Sequence, residues 1–378
     1  MVASARQVIS EAEVFAYLLD RGLVTRSAVV SGEVRVVDVS RRNRNFRVVG
    51  SGGLSLLVKQ GLIRDGFSSI EREARAYRLL GALAPSARAG SVFPYAPRAL
   101  AYDTNRDVLI LEFLVAAPTV RRVHLTRRPP SRAVARLVGA ALARLHRYVG
   151  TEVTHSSAES LLGCGEPGVL SLLRPGLTLF RDFSSACVDL VRLVQGNIDL
   201  GENLTRLQQD WRTDAMIHHD LRFDNVLLTG AIGDSAVHRR HVTFVDWETA
   251  ALGDAGWDIG TVIGEYLGEW LSSIPGAYGQ SPEQLLHLAT RPLDSVQPAI
   301  VAFWSSYCKK LNLEGATAVE QLIRATRFSG LKLIQSAMEQ VQRQARLSIP
   351  AVTLLQTGAN ILSRPEQAAE VLLGFGRF

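Results

Sequence analysis

The sequence predicts an α+β chain of two lobes, a small β-rich lobe over residues 1–114 and a large, mainly helical one over 115–378. Three observations predict it. At 378 residues the chain exceeds what one hydrophobic core usually serves. The segment 33–114 alternates strand patterns with a single helix, and most of the chain beyond residue 114 carries the helical period.

In chain order, residues 10–22 carry Val14, Tyr17, Leu18 and Leu19, after Ile9, at helical spacing, and Gly22 lies past the end. "EVRVVDVSRRNRNFRVVGSGGLSLLVKQG" (33–61) runs β-branched and apolar residues between two breaks, the polar "SRRNRN" and Gly50, Gly52 and Gly53. This pattern predicts three antiparallel strands with two turns. "SSIEREARAYRLLGALA" puts Ile70, Ala74, Tyr77, Leu80 and Leu83 on one helical face behind a serine cap, with Gly81 and Pro85 at its decline. "RALAYDTNRDVLILEFL" gives two more strands about an Asp-Thr-Asn-Arg turn. Beyond it, 131–149, 183–210 and most of 259–374 read as helical, with short strands only around 215–247.

Composition narrows the function classes. With 47% hydrophobic and 21% charged residues, the chain is neither disordered nor fibrous. No apolar run approaches the roughly 20 residues that cross a bilayer, and acids interrupt the N-terminal segment, so a cytoplasmic protein with no membrane partner is expected. Cys164, Cys187 and Cys308 are too few and too far apart for a disulfide framework or a metal clip. The net charge of +6 is carried by arginine, because Lys59, Lys309, Lys310 and Lys332 are the only lysines. It suits a polyanion such as a nucleotide; without a zinc-finger, basic-arm or RNP-like pattern, nucleic acid is not an expected partner.

The chemistry concentrates in "HHDLRFDN" (218–225). A short strand ending at Ile217 delivers this loop, Asn225–Leu228 forms the next strand, and "HVTFVDWE" (241–248) returns beside it. Asp220, Asn225 and Asp246 then converge, and two acids with an amide oxygen are the proton acceptor and oxygen ligands that a magnesium-nucleotide site needs. A zinc or iron site would instead require His218, His219 and His238 or His241 to meet an acid, yet adjacent histidines on a loop point apart. Lys59 adds a cation inside an apolar strand, where it is costly without a partner.

"HHDLRFDN", followed by "FVDWETAALGDAGWDIG", resembles the catalytic core of the aminoglycoside phosphotransferase and choline kinase superfamily, which has a protein-kinase-like fold. The family's H-G-D-L-x-x-x-N loop is matched by His218, Asp220, Leu221 and Asn225, while His219 occupies the glycine place. If that place needs positive φ, histidine tolerates it at a cost. The resemblance implies ATP and Mg2+ as cofactors, Asp220 as the catalytic base, and Asn225 and Asp246 as metal ligands. It implies Lys59 on the phosphates with Glu73 as its partner, ahead of Glu71 on another helical face. "SRRNRNF" then stands at the nucleotide loop, with Asn45 as a binding residue and added charge from Arg41, Arg42 and Arg44. "LILEFL" (109–114) resembles the hinge, with Glu112 to Leu114 facing adenine. His146 in "ALARLHRY" is implied to be a core histidine, and Asp258 in "GDAGWDIG" the anchor of the catalytic loop. These motifs span about 45–260.

Acceptor sites are built from divergent parts of a fold, so the acceptor is read separately. After residue 300, Lys309, Lys310, Arg324, Arg327, Lys332, Arg343 and Arg346 outweigh the acids, which disfavours a polycationic acceptor. The first class is a kinase for a hydroxyl of a natural product or other small molecule, working beside enzymes of a biosynthetic pathway. A second is a Ser/Thr kinase for a ribosomally made precursor peptide, with phosphorylation before elimination. The third, a kinase-like binding module without turnover, predicts a missing core residue, yet Lys59, Asp220, Asn225 and Asp246 are all present.

Overall fold

A computed structural model describes residues 9–40, 43–61, 69–81, 93–126, 129–176, 184–230, 240–275 and 288–376. Strands β1 (Arg35–Asp38), β2 (Arg44–Val49), β3 (Ser55–Gln60), β4 (Ala99–Asp103) and β5 (Val108–Glu112) form one antiparallel sheet in the order β1-β2-β3-β5-β4. The expected pattern of three strands and then two is therefore present. Helix α1 (Glu11–Asp20) opens on a capping box between Ser10 and Glu13 and closes at Gly22, whose φ of 65° suits glycine. A short α2 (Arg26–Val30), which the spacing did not suggest, comes after it.

The two-residue period of the strands decides which layer each side chain enters. On β5, Val108 and Ile110 join a cluster with Val14, Tyr17, Leu18, Phe46 and Val58, whereas Leu109 and Leu111 face α3 (Ser69–Leu79) and the larger core. Lys59 shares the face of Leu57, toward α3. Asn45 stands opposite Lys59 in the β2–β3 register, on the same face. The β4–β5 turn is held by Asp103, whose Oδ1 accepts from the amides of Asn105 (3.0 Å) and Arg106 (3.1 Å).

The remaining described residues are mainly helical: α4 (Val120–Thr126), α5 (Arg132–Thr151), α6 (His155–Leu162), α7 (Ser185–Gly196), α8 (Ile198–Gln209), α9 (Ala255–Leu271), α10 (Leu293–Leu311), α11 (Gly315–Val341), α12 (Ile349–Ser363) and α13 (Pro365–Val371). Helices α5 and α10 cross at Gly139, where a Cβ would lie 2.3 Å from the Phe303 carbonyl oxygen. Two small antiparallel ribbons lie among these helices: β6 (Ala215–Ile217) with β9 (Ala251–Gly253), and β7 (Val226–Thr229) with β8 (His241–Phe244). Strand β9 lies past the 215–247 region that the sequence marked. Strand β7 starts at Val226, because Asn225 is drawn into the preceding turn by its own side-chain bonds. Leu83, Pro85, Arg41, Arg42 and His238 lie outside the described residues.

Candidate active site

Lys59 reaches off β3 into a cleft between the sheet and the helices. Its Nζ donates to Glu73 Oε1 (2.9 Å) and Oε2 (2.8 Å) on α3 and to Asp246 Oδ1 (2.8 Å) beyond β8. Burial works against the Lys59 charge, but Glu73 and then Asp246 outweigh it, and the ammonium is held above its ordinary pKa. The same lysine holds Asp246 below the usual carboxylate range against the opposing effect of burial. Glu71 turns outward and pairs with Arg75 one turn on, so the choice of Glu73 follows from helix phase.

Asp220, Asp246, Lys59 and Asn45 line one cavity of about 1270 Å³, together with Asn43 and Glu248. Asp246 takes φ of 68°, a left-handed conformation that aspartate tolerates better than most side chains. Asn225 stands behind Asp220 rather than on the cavity wall: its Nδ2 donates to the Asp220 carbonyl (2.8 Å) and to Oδ2 (3.1 Å). It remains close to Asp246 along the chain path, because the Val245 amide donates to the Asn225 carbonyl at 3.0 Å. Glu112 and Leu114 lie at the end of β5, off this lining; the Glu112 amide donates to Arg98 and that of Phe113 to Ser55. Arg44 pairs with Asp38 at the exposed β1–β2 turn.

The loop itself is fixed from below by Asp258 in the first turn of α9. Its Oδ2 accepts the His218 amide (2.7 Å) and its Oδ1 the His219 amide (3.0 Å), while His146 Nε2 lies 3.4 Å from Oδ2. Burial pushes this carboxyl up, yet the His146 hydrogen bond and the surrounding donors hold it below its ordinary value. The two loop histidines diverge: His218 Nε2 meets the Val245 carbonyl (2.9 Å) and His219 Nδ1 the Thr249 carbonyl (3.1 Å). His219 has φ of 72°, so the glycine place does require positive φ. Its ring bond to Thr249 and the Trp257 indole donating to its carbonyl (2.9 Å) offset that cost. Burial keeps the His219 imidazole below its ordinary pKa.

Two groups on the cavity escaped the sequence reading. Glu248 accepts from Asn43 Nδ2 at 3.2 Å, which adds a carboxylate and a second bond across the cleft; its place two residues after Asp246 was the available signal. The far wall is the end of α11 and the residues after it, with Gln335, Glu339, Gln342 and Arg343. Of the seven basic residues noted after position 300, only Arg343 lines the cavity. Arg324 Nε is spent on Asp254 (2.8 Å), and Lys332 is buried with Nζ 3.9 Å from Glu339. The basic balance of that region therefore does not describe the cavity.

The profile of the phosphotransferase enzyme family matches residues 33–289, more than half of the chain and the whole stretch from β1 to past α9. The chain belongs to the phosphotransferase enzyme family. This phosphotransferase is similar in structure to an ethanolamine kinase from Plasmodium vivax, at 14% identity over 97% of this chain and 92% of that one, with a TM-score of 0.58. It is also similar to a choline kinase from Cryptosporidium parvum, at 14% identity over 96% and 98%, with a TM-score of 0.56. LicA, a choline kinase of Streptococcus pneumoniae solved with AMP, aligns at 12% identity over 94% and 99%, with a TM-score of 0.50. No curated protein sequence matches the chain. At these identities the neighbours show the fold alone, the α+β fold of kinases, and the family shows a phosphotransferase. Among the described residues, no helix is long and apolar enough to cross a membrane.

Proposed function

We propose that this phosphotransferase uses ATP and Mg2+ to phosphorylate a hydroxyl of a natural product or other small molecule, in the cytoplasm where the nucleotide is available. The observation that carries the reading is Lys59 clamped between Glu73 and Asp246, on the same cavity as Asp220. Lys59 is the cation for the nucleotide phosphates, and Glu73 holds it in place. Asn45, whose Oδ1 is buried without a partner among the described residues, has hydrogen-bonding capacity left for the nucleotide. Glu112 to Leu114 are the hinge segment for adenine. Asp246 and Asn225 are the metal ligands; Glu248 is a third oxygen donor within reach of that cavity, and an all-oxygen set fits a hard cation. Bound there, Mg2+ would supply charge neutralisation on the phosphates.

In this scheme the acceptor hydroxyl attacks the γ-phosphorus, its proton passes to Asp220, and the bond to the β–γ bridging oxygen breaks to release ADP. Asp258 and Asn225 hold Asp220 in place, and no covalent enzyme intermediate is needed. The test is ADP release and phosphoryl mass gain on a panel of sugars, amino alcohols and serine-containing peptides, with the parent and Asp220→Asn. The variant should lose at least about 100-fold in turnover while still binding nucleotide. An unchanged rate would refute the base assignment, and transfer to peptides alone would replace the small-molecule acceptor with a precursor peptide.

A further inference from the structure

Arg47 is a cation that the scheme leaves unused. It stands on β2 two residues past Asn45 and pairs in register with Leu57, as Asn45 does with Lys59, so all four share one face of the sheet. Phe46 and Val48 point the other way, into the cluster with Val14 and Leu18. Along this face, Lys59, Leu57 and Ser55 lead from the proposed phosphate end of the cleft toward Phe113, whose amide donates to the Ser55 carbonyl at 2.9 Å. The guanidinium carbon of Arg47 lies 4.9 Å from the centre of the Phe113 ring. Arginine that leaves the solvent is ordinarily paired with an acid. Arg47 is not: partly buried, it makes no hydrogen bond or ion pair among the described residues, and its Nε is buried without a partner. The Ser55 hydroxyl, on the same face, is also buried and unpartnered. Two polar groups at the Phe113 end are thus left for a ligand to satisfy.

The guanidinium rests on an aromatic ring, and all it offers a ligand is N–H donors. Such a group favours a base edge made of acceptors. Guanine presents two side by side, O6 and N7, which the fork of an arginine spans; adenine presents N7 beside an amino group that is itself a donor. We infer that Arg47 is a specificity residue that admits guanine nucleotides to the site alongside ATP, by donating to O6 and N7 of the base. This rests on the kinase reading and on its hinge at 112–114. The transfer is the same with either nucleotide: the acceptor oxygen bonds to the γ-phosphorus, the bond to the β–γ bridging oxygen breaks, and GDP leaves in place of ADP. Arg47 neither gains nor loses a proton in it.

Calorimetry on the full chain with Mg·GDP, Mg·IDP and Mg·ADP reads the base without any turnover. The parent should bind GDP at least as tightly as ADP. IDP, which keeps O6 and N7 but lacks the 2-amino group, should follow GDP. Arg47→Met, whose stem still covers Phe113, should weaken GDP and IDP roughly tenfold and ADP by no more than about twofold. Retained ADP affinity shows that the variant is folded, and Arg47→Lys, which keeps the charge without the fork, should show the same selective loss to a smaller degree. A parent that binds ADP far more tightly than GDP, IDP that follows ADP, or equal losses for all the nucleotides would each overturn the inference, the last leaving Arg47 a contact to ribose or phosphate. No loss at all would overturn it too, and leave Arg47 packing on Phe113. None of these results bears on Lys59 or Asp220, so the kinase reading would stand. If the parent binds no nucleotide, the kinase reading fails first and this inference falls with it.

Discussion

His124 should make the protein lose stability as pH falls below about 6.5. The residue sits on α4 with no exposed surface, its ring 5.2 Å from that of Phe223 in the catalytic loop and 5.3 Å from that of Tyr266 on α9. Neither ring nitrogen has a partner among the described residues. Burial, helped by the charge of Arg291, lowers its pKa from 6.5 to about 4. Between those values the unfolded chain binds a proton that the folded one refuses, so this contribution to stability is intact above 6.5 and is lost as pH falls through about 4. At about 1.4 kcal/mol per pH unit, the full effect is about 3 kcal/mol. Urea midpoints of the parent and of His124→Phe, measured between about pH 8 and about pH 4, isolate it from the other titrating groups. The variant should differ from the parent by less than about 1.5 kcal/mol at the alkaline end, and its relative stability should rise steadily toward the acid end. A difference that stays constant with pH would refute this account of His124.

Other expectations concern the ion pairs. Lys59→Met strands a buried carboxylate and should cost about 3–5 kcal/mol in stability as well as abolishing transfer, whereas Glu71→Ala should change stability by less than about 0.5 kcal/mol. Chemical denaturation of both variants checks the contrast, and similar losses would sink the assignment of Glu73 as the partner. If Asp220 is the base as proposed, Asp258→Asn should lower turnover more than nucleotide affinity, because it loosens the amides of His218 and His219 beneath Asp220. Since the Asp258 pKa is held down in the fold, its stabilisation is present above the ordinary carboxylate value and lost as pH falls through its lowered one. Asp258→Asn should therefore flatten the acid limb of the stability curve, and an unchanged limb would count against the anchor.

Much of the site was legible because one loop motif and the resemblance it carries span it. The family resemblance paired Lys59 with Glu73, and the helix period set Glu73 apart from Glu71. A gap of five residues put Asn225 in bonding distance of Asp220 on one loop. The turn demanded positive φ at His219, as the family's glycine implied, but nothing in the sequence showed its ring closing on Thr249, thirty residues on. The far wall was illegible for a related reason. Whether Gln335 or Arg324 faces the cavity depends on how α11 lies against α9, and at Gly260 a Cβ would meet the Ala325 carbonyl oxygen at 2.7 Å. Reading charge along that helix without this crossing counted Arg324 as free, although it is bound to Asp254, seventy residues away in sequence.

Asp258 sits in the first turn of α9, so the loop that bears Asp220 is mounted on the same helix that packs against α11 and the far wall of the cavity. Lys59 on β3 and Asn43 just before β2 instead reach the cavity from the other side, through contacts with Asp246 and Glu248. The place of Asp220 is thereby held from the helical side of the cleft. On the proposed assignment, a tilt of the sheet that admits or releases a nucleotide changes the distance between phosphate and acceptor while the acceptor stays registered on Asp220.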